Sequence, residues 1–128
     1  GETILFSMCI LEEMQWKRTR YITSADFFHG TLELVEPGVP VFLFMGEDEN
    51  RKLDERVRAF LTRGVTGDTD INVIDTAEFA IPGLDDEFRV IVSPWILSSL
   101  ITDRLAAYYE TVTKHNLKYR RYYHQFDY

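Results

Sequence analysis

The sequence predicts an α/β protein built on a parallel sheet, and three observations lead there. Helix-like and strand-like stretches alternate along the chain, the pattern of βα units. "VPVFLFM", residues 39 to 45, is an unbroken apolar run rich in Val and Phe, as in a central parallel strand covered on both faces. In the stretch that follows, Leu53, Val57, Phe60 and Leu61 recur at i, i+4, i+7 and i+8 with Arg, Asp and Glu between them, which marks an amphipathic helix.

Taken in order, the elements begin with a helix from Thr3 to about Lys17. Ile4, Leu5, Phe6, Met8, Cys9, Ile10, Leu11, Met14 and Trp16 leave it almost no solvent face, so burial is expected on nearly every side. In a chain of 128 residues that burial calls for a partner subunit or a further domain. Arg20 to Thr23 is a short β-prone run. Ser24 then stands as an N-cap for a turn containing Ala25, Asp26 and Phe27, which Gly30 ends. After the Glu36-Pro37-Gly38 turn and the apolar strand, 46–50 is a polar loop in which Asp48 or Asn50 can cap the amphipathic helix. Gly64 and Gly67 punctuate, "DINVID" reads as another strand, and Pro82-Gly83 marks a loop. Residues 84–92 read as helical, Pro94 opposes a smooth join, and a last helix runs from about Pro94 to Lys114 with Ser93 as its cap. Three strands are visible, and the strand that normally precedes the first helix of a βαβ unit is missing. Gly1 stands where Met would begin a chain, and the helical pattern is under way by residue 3, which reads as an engineered or cleaved end.

Composition removes several functions. Twenty-one acidic against fourteen basic residues give a formal charge of −7, the wrong sign for a nucleic-acid surface or an anionic membrane face. The apolar run Ile4 to Leu11 is far short of the roughly 20 residues of a spanning helix and lacks the basic flank of a signal peptide. The single cysteine, Cys9, allows no disulfide framework and suits a reducing cytoplasm. No phosphate-binding GxxxxGK[ST], no GxGxxG, no HExxH and no GxSxG occurs. The three histidines lie far apart without cysteines beside them, so neither a structural metal nor a cofactor is expected.

Two residues can carry chemistry. Glu13 follows Glu12, and a solvated acidic pair accounts for both. Yet Glu13 also stands at i+4 from Cys9 and i+8 from Leu5, where apolar neighbours would shed its water, as a general base requires. His29 can be a helix-end histidine satisfied by carbonyls. Alternatively Gly30 lets its ring project from an element terminus, with Asp26 three residues earlier placed to orient it. An oriented His near a shielded Glu is the apparatus of proton transfer beside a carbonyl.

"CILEEMQW", "ADFFHGTLE", "GEDENRKLDERVRAFL" and the closing "RRYYHQFDY" together resemble the second half of the sugar isomerase (SIS) family. The group resembled most is that of the deglycases of 6-phosphorylated Amadori compounds, such as fructoselysine, glucoselysine and fructose-asparagine 6-phosphates. The Glu, fifteen residues, His spacing is also similar to that of the isomerase domain of glucosamine-6-phosphate synthase. The resemblance covers all of residues 1–128, less than half of a two-SIS-domain family chain. It implies a flavodoxin-like three-layer αβα domain, here a single partial one lacking an N-terminal SIS domain, with a docking tail at 116–128.

It further implies that Glu13 moves the proton between C1 and C2. His29 would open the sugar ring and serve as acid, reaching the site from the neighbouring subunit of a dimer or larger homo-oligomer. The implied substrate is a phosphosugar-amine, the products glucose 6-phosphate and the free amino acid, and no cofactor takes part. Two departures stand out: Ala25-Asp26 where the family usually has Gly-Glu, and Gly30-Thr31-Leu32-Glu33 where it often has Gly-Pro-Phe-Glu. The family's phosphate-binding loops lie largely in the half not present. Arg120 and Arg121 are implied either to clamp a subunit interface or to contact substrate. An aldose-ketose phosphosugar isomerase or aminotransferase, or a non-catalytic module sensing a sugar phosphate, would use the same domain.

Overall fold

The computed structural model describes residues 1–128. In chain order the main elements are α1 (Glu2–Ile4), a π-helix continuing it (Leu5–Met14), β1 (Val41–Met45), α2 (Arg51–Thr62), β2 (Ile71–Asp75), α3 (Arg89–Ser98), a second π-helix (Ser99–Leu105) and α4 (Ala106–Thr113). Contacts divide them into two compact units, Ile22–Pro94 and the pair of segments Gly1–Tyr21 with Trp95–Tyr128.

In the unit Ile22–Pro94, β1 and β2 pair in parallel, in register from Val41 opposite Ile71 to Met45 opposite Asp75. The period-2 pleat turns Leu43 and Met45 to one face, where they pack with Val57 and Leu61 of α2 and with Phe27. Phe42 and Phe44 stack on the opposite face, 6.5 Å apart and only partly covered. A strand covered on both faces is thus observed for one face and half-met on the other. The amphipathic helix forms where its spacing places it, since Val57 and Leu61 are the buried members.

The sheet has two strands, not three. Residues 20–23 are irregular, because Thr23 is used to start a turn: its hydroxyl donates to Asp26 and its carbonyl accepts from the Asp26 and Phe27 amides. Ser24 caps nothing; its hydroxyl donates to Asp54 at 2.5 Å.

The carboxyl ends of the strands are closed by two arginines. Arg51, the first residue of α2, donates to both oxygens of Asp75 at 2.9 and 2.7 Å and to the Gly46 carbonyl at 2.8 Å. Arg89 donates to both oxygens of Glu47 at 2.6 and 3.0 Å and also to the Thr76 and Phe79 carbonyls. Parallel N–H···O pairs of this kind are the strongest geometry available to a guanidinium. They lower the carboxyl pKa of Asp75 through the Arg51 hydrogen bonds, and that of Glu47 through those of Arg89. Asp54 behaves oppositely: burial pushes its carboxyl up, despite hydrogen bonds from Ser24 and the Gly46 amide.

In the other unit the first helix is buried along one stripe, Phe6, Ser7, Ile10 and Leu11, while Ile4 and Met8 are exposed. Burial on nearly all sides is therefore not observed. Its π-helical turns, widened to i→i+5 hydrogen bonds, pack against the second π-helix, whose Ile101 is fully buried. Leu97 and Ala106 are buried as well, and Phe6 meets Tyr109 edge-on at 6.2 Å.

Pro94 lies inside α3, and Ser93 is a buried helical residue and no cap. The proline costs the helix one N–H, which would have met Val90 four residues earlier. Val90 and Pro94 are both exposed, so water can take the freed carbonyl. The helical run Asp86–Thr113 is consequently continuous for 28 residues, long and apolar enough to cross a membrane by length and composition alone. A core helix of a soluble protein passes the same test, and this run carries Arg89, Asp103 and Arg104.

Replacing Asp75 by Ala strips Arg51 of its fork and should cost about 2–4 kcal/mol, somewhat under a fully buried pair because 28% of the Arg51 side chain stays exposed. A fall in the urea midpoint would measure it. Because Asp75 and Glu47 have lower pKa values folded than unfolded, their stabilisation is complete above the unfolded carboxylate values and lost as pH falls through the folded ones. Stability should therefore decline on acidification below about pH 4, and less steeply in Asp75→Asn when melting temperature is followed against pH.

Candidate active site

Glu13 lies one residue before the end of the first π-helix, in the unit formed by the two terminal segments. Its carboxylate Oε1 is 2.9 Å from Nη2 of Arg120, with 28% of the Glu13 and 18% of the Arg120 side chain exposed. The other guanidinium nitrogen, Nη1, donates to the Leu117 and Tyr119 carbonyls at 2.7 and 2.9 Å. The apolar residues at the spacings noted in the sequence, Leu5 and Cys9, line an open concavity of about 430 Å³ together with Met14, Leu117, Lys118 and Arg120. Glu13 is thus partly shielded from water and held by a cation, where the sequence suggested shielding alone. Glu12 next to it accepts from the Thr19 hydroxyl, a local surface contact.

The closing segment folds onto the first helix by three attachments. Buried Gln15 donates to the His115 carbonyl at 2.8 Å and accepts from the Thr113 hydroxyl at 2.7 Å. Arg120 holds Glu13, and the Arg121 guanidinium lies over the Trp16 ring at 4.1 Å. Trp16 also meets His115 edge-on at 4.4 Å. Arg120 and Arg121 contact the first helix and the residue past its end, while Tyr119, Tyr122, Tyr123, Phe126 and Tyr128 stand exposed. Both arginines are engaged within the chain.

His29 belongs to the unit Ile22–Pro94, apart from the unit of Glu13. It ends the 3₁₀ turn Phe27–His29, whose buried Phe27 packs edge-on with Phe28 and Phe60. Gly30 follows at φ 132°, a backbone that essentially only glycine adopts, so the chain turns sharply and the imidazole is exposed at the element's end. Asp26 does not orient the ring. Its carboxylate accepts from the Thr23 hydroxyl at 2.7 Å, and only its backbone carbonyl meets His29, by accepting the amide at 2.9 Å.

The partnership of Arg120 with Glu13 escapes a reading of the sequence, which sets the two residues 107 positions apart and offers no periodicity to join them. The Arg-Arg pair itself was visible; its target was not. The same is true of Gln15, an ordinary polar residue at a helix end until the chain's last helix is folded onto it.

Compared with known proteins, no family model matches the chain. It is 31% identical over 95% of its length to the fructosamine deglycase FrlB of Bacillus subtilis (strain 168), covering 36% of that protein. It is 36% identical over 88% of its length to the fructoselysine 6-phosphate deglycase of Escherichia coli (strain K12), covering 31% of it. A solved structure described as a phosphosugar isomerase of Bacillus subtilis superposes with a TM-score of 0.83 at 29% identity, over 96% of this chain and 36% of that one. The chain has the fold of part of that phosphosugar isomerase structure. It is homologous to one segment of the fructosamine and fructoselysine 6-phosphate deglycases, and spans about a third of their length.

Gln15→Leu removes the hydrogen bonds to Thr113, at the end of α4, and to the His115 carbonyl just beyond it, while keeping the volume. It should cost about 1–3 kcal/mol within this unit and free residues 114–128 to faster proteolysis and amide exchange, leaving exchange in β1 and β2 unchanged.

Proposed function

We propose that this chain is the part of a sugar-phosphate deglycase that supplies its proton-transfer groups, and that it corresponds to the C-terminal SIS domain of a two-domain enzyme. The substrate is a 6-phosphorylated Amadori compound, a ketosamine whose C1 carries an amino acid through nitrogen. His29 assists ring opening, so that the C2 carbonyl is free. Glu13 then takes the C1 proton to give an enaminol, and a proton returned at C2 leaves an imine at C1. Water adds to the imine carbon, the C–N bond breaks, and glucose 6-phosphate and the free amine depart.

The observation that carries this reading is the match to two deglycases along nearly the whole chain. Two features of the structure support the roles. Glu13 is only partly exposed and its carboxylate is held by a fixed cation, as the positioning of a general base requires. His29 is exposed at a turn end, free to act on a substrate held by another subunit. The active form is accordingly a homo-oligomer, dimeric or larger, with phosphate-binding loops contributed by a preceding SIS domain. A second reading is favoured by the solved relative described as a phosphosugar isomerase: the same proton transfer without imine hydrolysis.

In the full-length gene product, Glu13→Gln and His29→Ala should each lower turnover of a 6-phosphorylated Amadori compound by about 10²–10⁴-fold, with glucose 6-phosphate release as readout. Normal turnover in both variants would remove these residues from the chemistry. Aldose-ketose interconversion of a phosphosugar, with no amine released from any Amadori compound, would instead select the isomerase reading.

A further inference from the structure

We propose that Arg120 is a positioning residue for Glu13: its guanidinium fixes the carboxylate's direction, making the closing segment part of the proton-transfer machinery. This rests on the reading of Glu13 as the base.

Glu13 sits where a helix ends. Two residues later the backbone leaves helical geometry, with Gln15 at φ −115° and Trp16 at φ 55°. A carboxylate on such a turn has many rotamers open to it, and an error of about 1 Å in a reacting group can cost 10²-fold in rate. Arg120 removes that freedom because it is itself immobilised. Its Nη1 is fastened to two carbonyls of its own segment, so Nη2 meets Glu13 Oε1 from a set direction.

The support extends a step further. Leu117, whose carbonyl receives Arg120, donates its own amide to Glu110 Oε1 at 3.0 Å, which ties the segment to α4. Gln15 and Trp16, the two residues just beyond Met14, are gripped by His115, Thr113 and Arg121. The hydrogen bonds, ion pair and ring contact that join the segment to the end of the first helix thus fall within three residues of Glu13. An arginine is the side chain suited to this, since a planar fork can bind carbonyls with one nitrogen and a carboxylate with another, whereas an ammonium is a point charge.

The test uses the full-length gene product and a 6-phosphorylated Amadori compound that the wild type turns over. Arg120→Ala should lower kcat by about 10–100-fold while KM moves less than about threefold. Added methylguanidinium, below denaturing concentration, should restore part of that kcat, and should do nothing for Glu13→Gln. Arg120→Lys keeps the charge without the fork and should stay well below wild type, which also guards against an Arg120→Ala protein that fails to fold. An Arg120→Ala kcat within about twofold of wild type, or a loss that follows only the folded fraction by circular dichroism and resists rescue, overturns the proposal. If instead Glu13→Gln keeps wild-type turnover, the assignment of the base has failed, and the role given to Arg120 fails with it.

Discussion

The fork from Arg51 to Asp75 is the constraint on which the sheet-bearing unit depends. One residue at the start of α2 reaches the last residue of β2 and the carbonyl just past β1, so both strand ends are tied to the helix between them. Asp75 is 3% exposed, and without a cation its charge would be left in an apolar setting. Arg89 repeats the device, joining Glu47 of the loop after β1 to the turn after β2. Open parallel sheets usually offer the space beyond their carboxyl ends to ligands. Here that space holds salt bridges, and the residues with catalytic promise stand on a helix terminus and a short turn.

Much of this architecture could be read from the chain because it rests on periodicity. β1 is an apolar run, α2 has a clean i, i+4, i+7, i+8 stripe, and Gly30 stands where a positive φ is needed. What could not be read depends on partners distant in sequence. The Arg89–Glu47 pair joins residues 42 apart, and the burial of Thr76 depends on the Met45 carbonyl 31 positions away. Local rules also misled where tertiary needs prevailed: Thr23 is β-branched yet starts a turn, and Ser93-Pro94 has the look of a helix start yet lies inside one.

The candidate site divides in the same way. Neighbours and spacing single out Glu13 and His29 as candidates, but nothing local predicts what holds them. Asp26 is spent on Thr23, leaving His29 without the carboxylate that the sequence offered it. Glu13 gains a cation that the sequence offered elsewhere. A motif thus names candidate groups more readily than it names their supports, since the supports are side chains of common type chosen only by proximity.

The stitch from Gln15 to Thr113 and His115 closes a loop of about a hundred residues, and the entropy of closing so long a loop falls on folding before any contact repays it. The strands and α2 draw on neighbours close in sequence and can assemble while later residues are still being synthesised. The helix bearing Glu13 has to wait, because its partners lie about a hundred residues further along the chain. Until then its apolar stripe is uncovered and the Glu13 carboxylate has no cation, so this helix acquires its final surroundings later than the strands do.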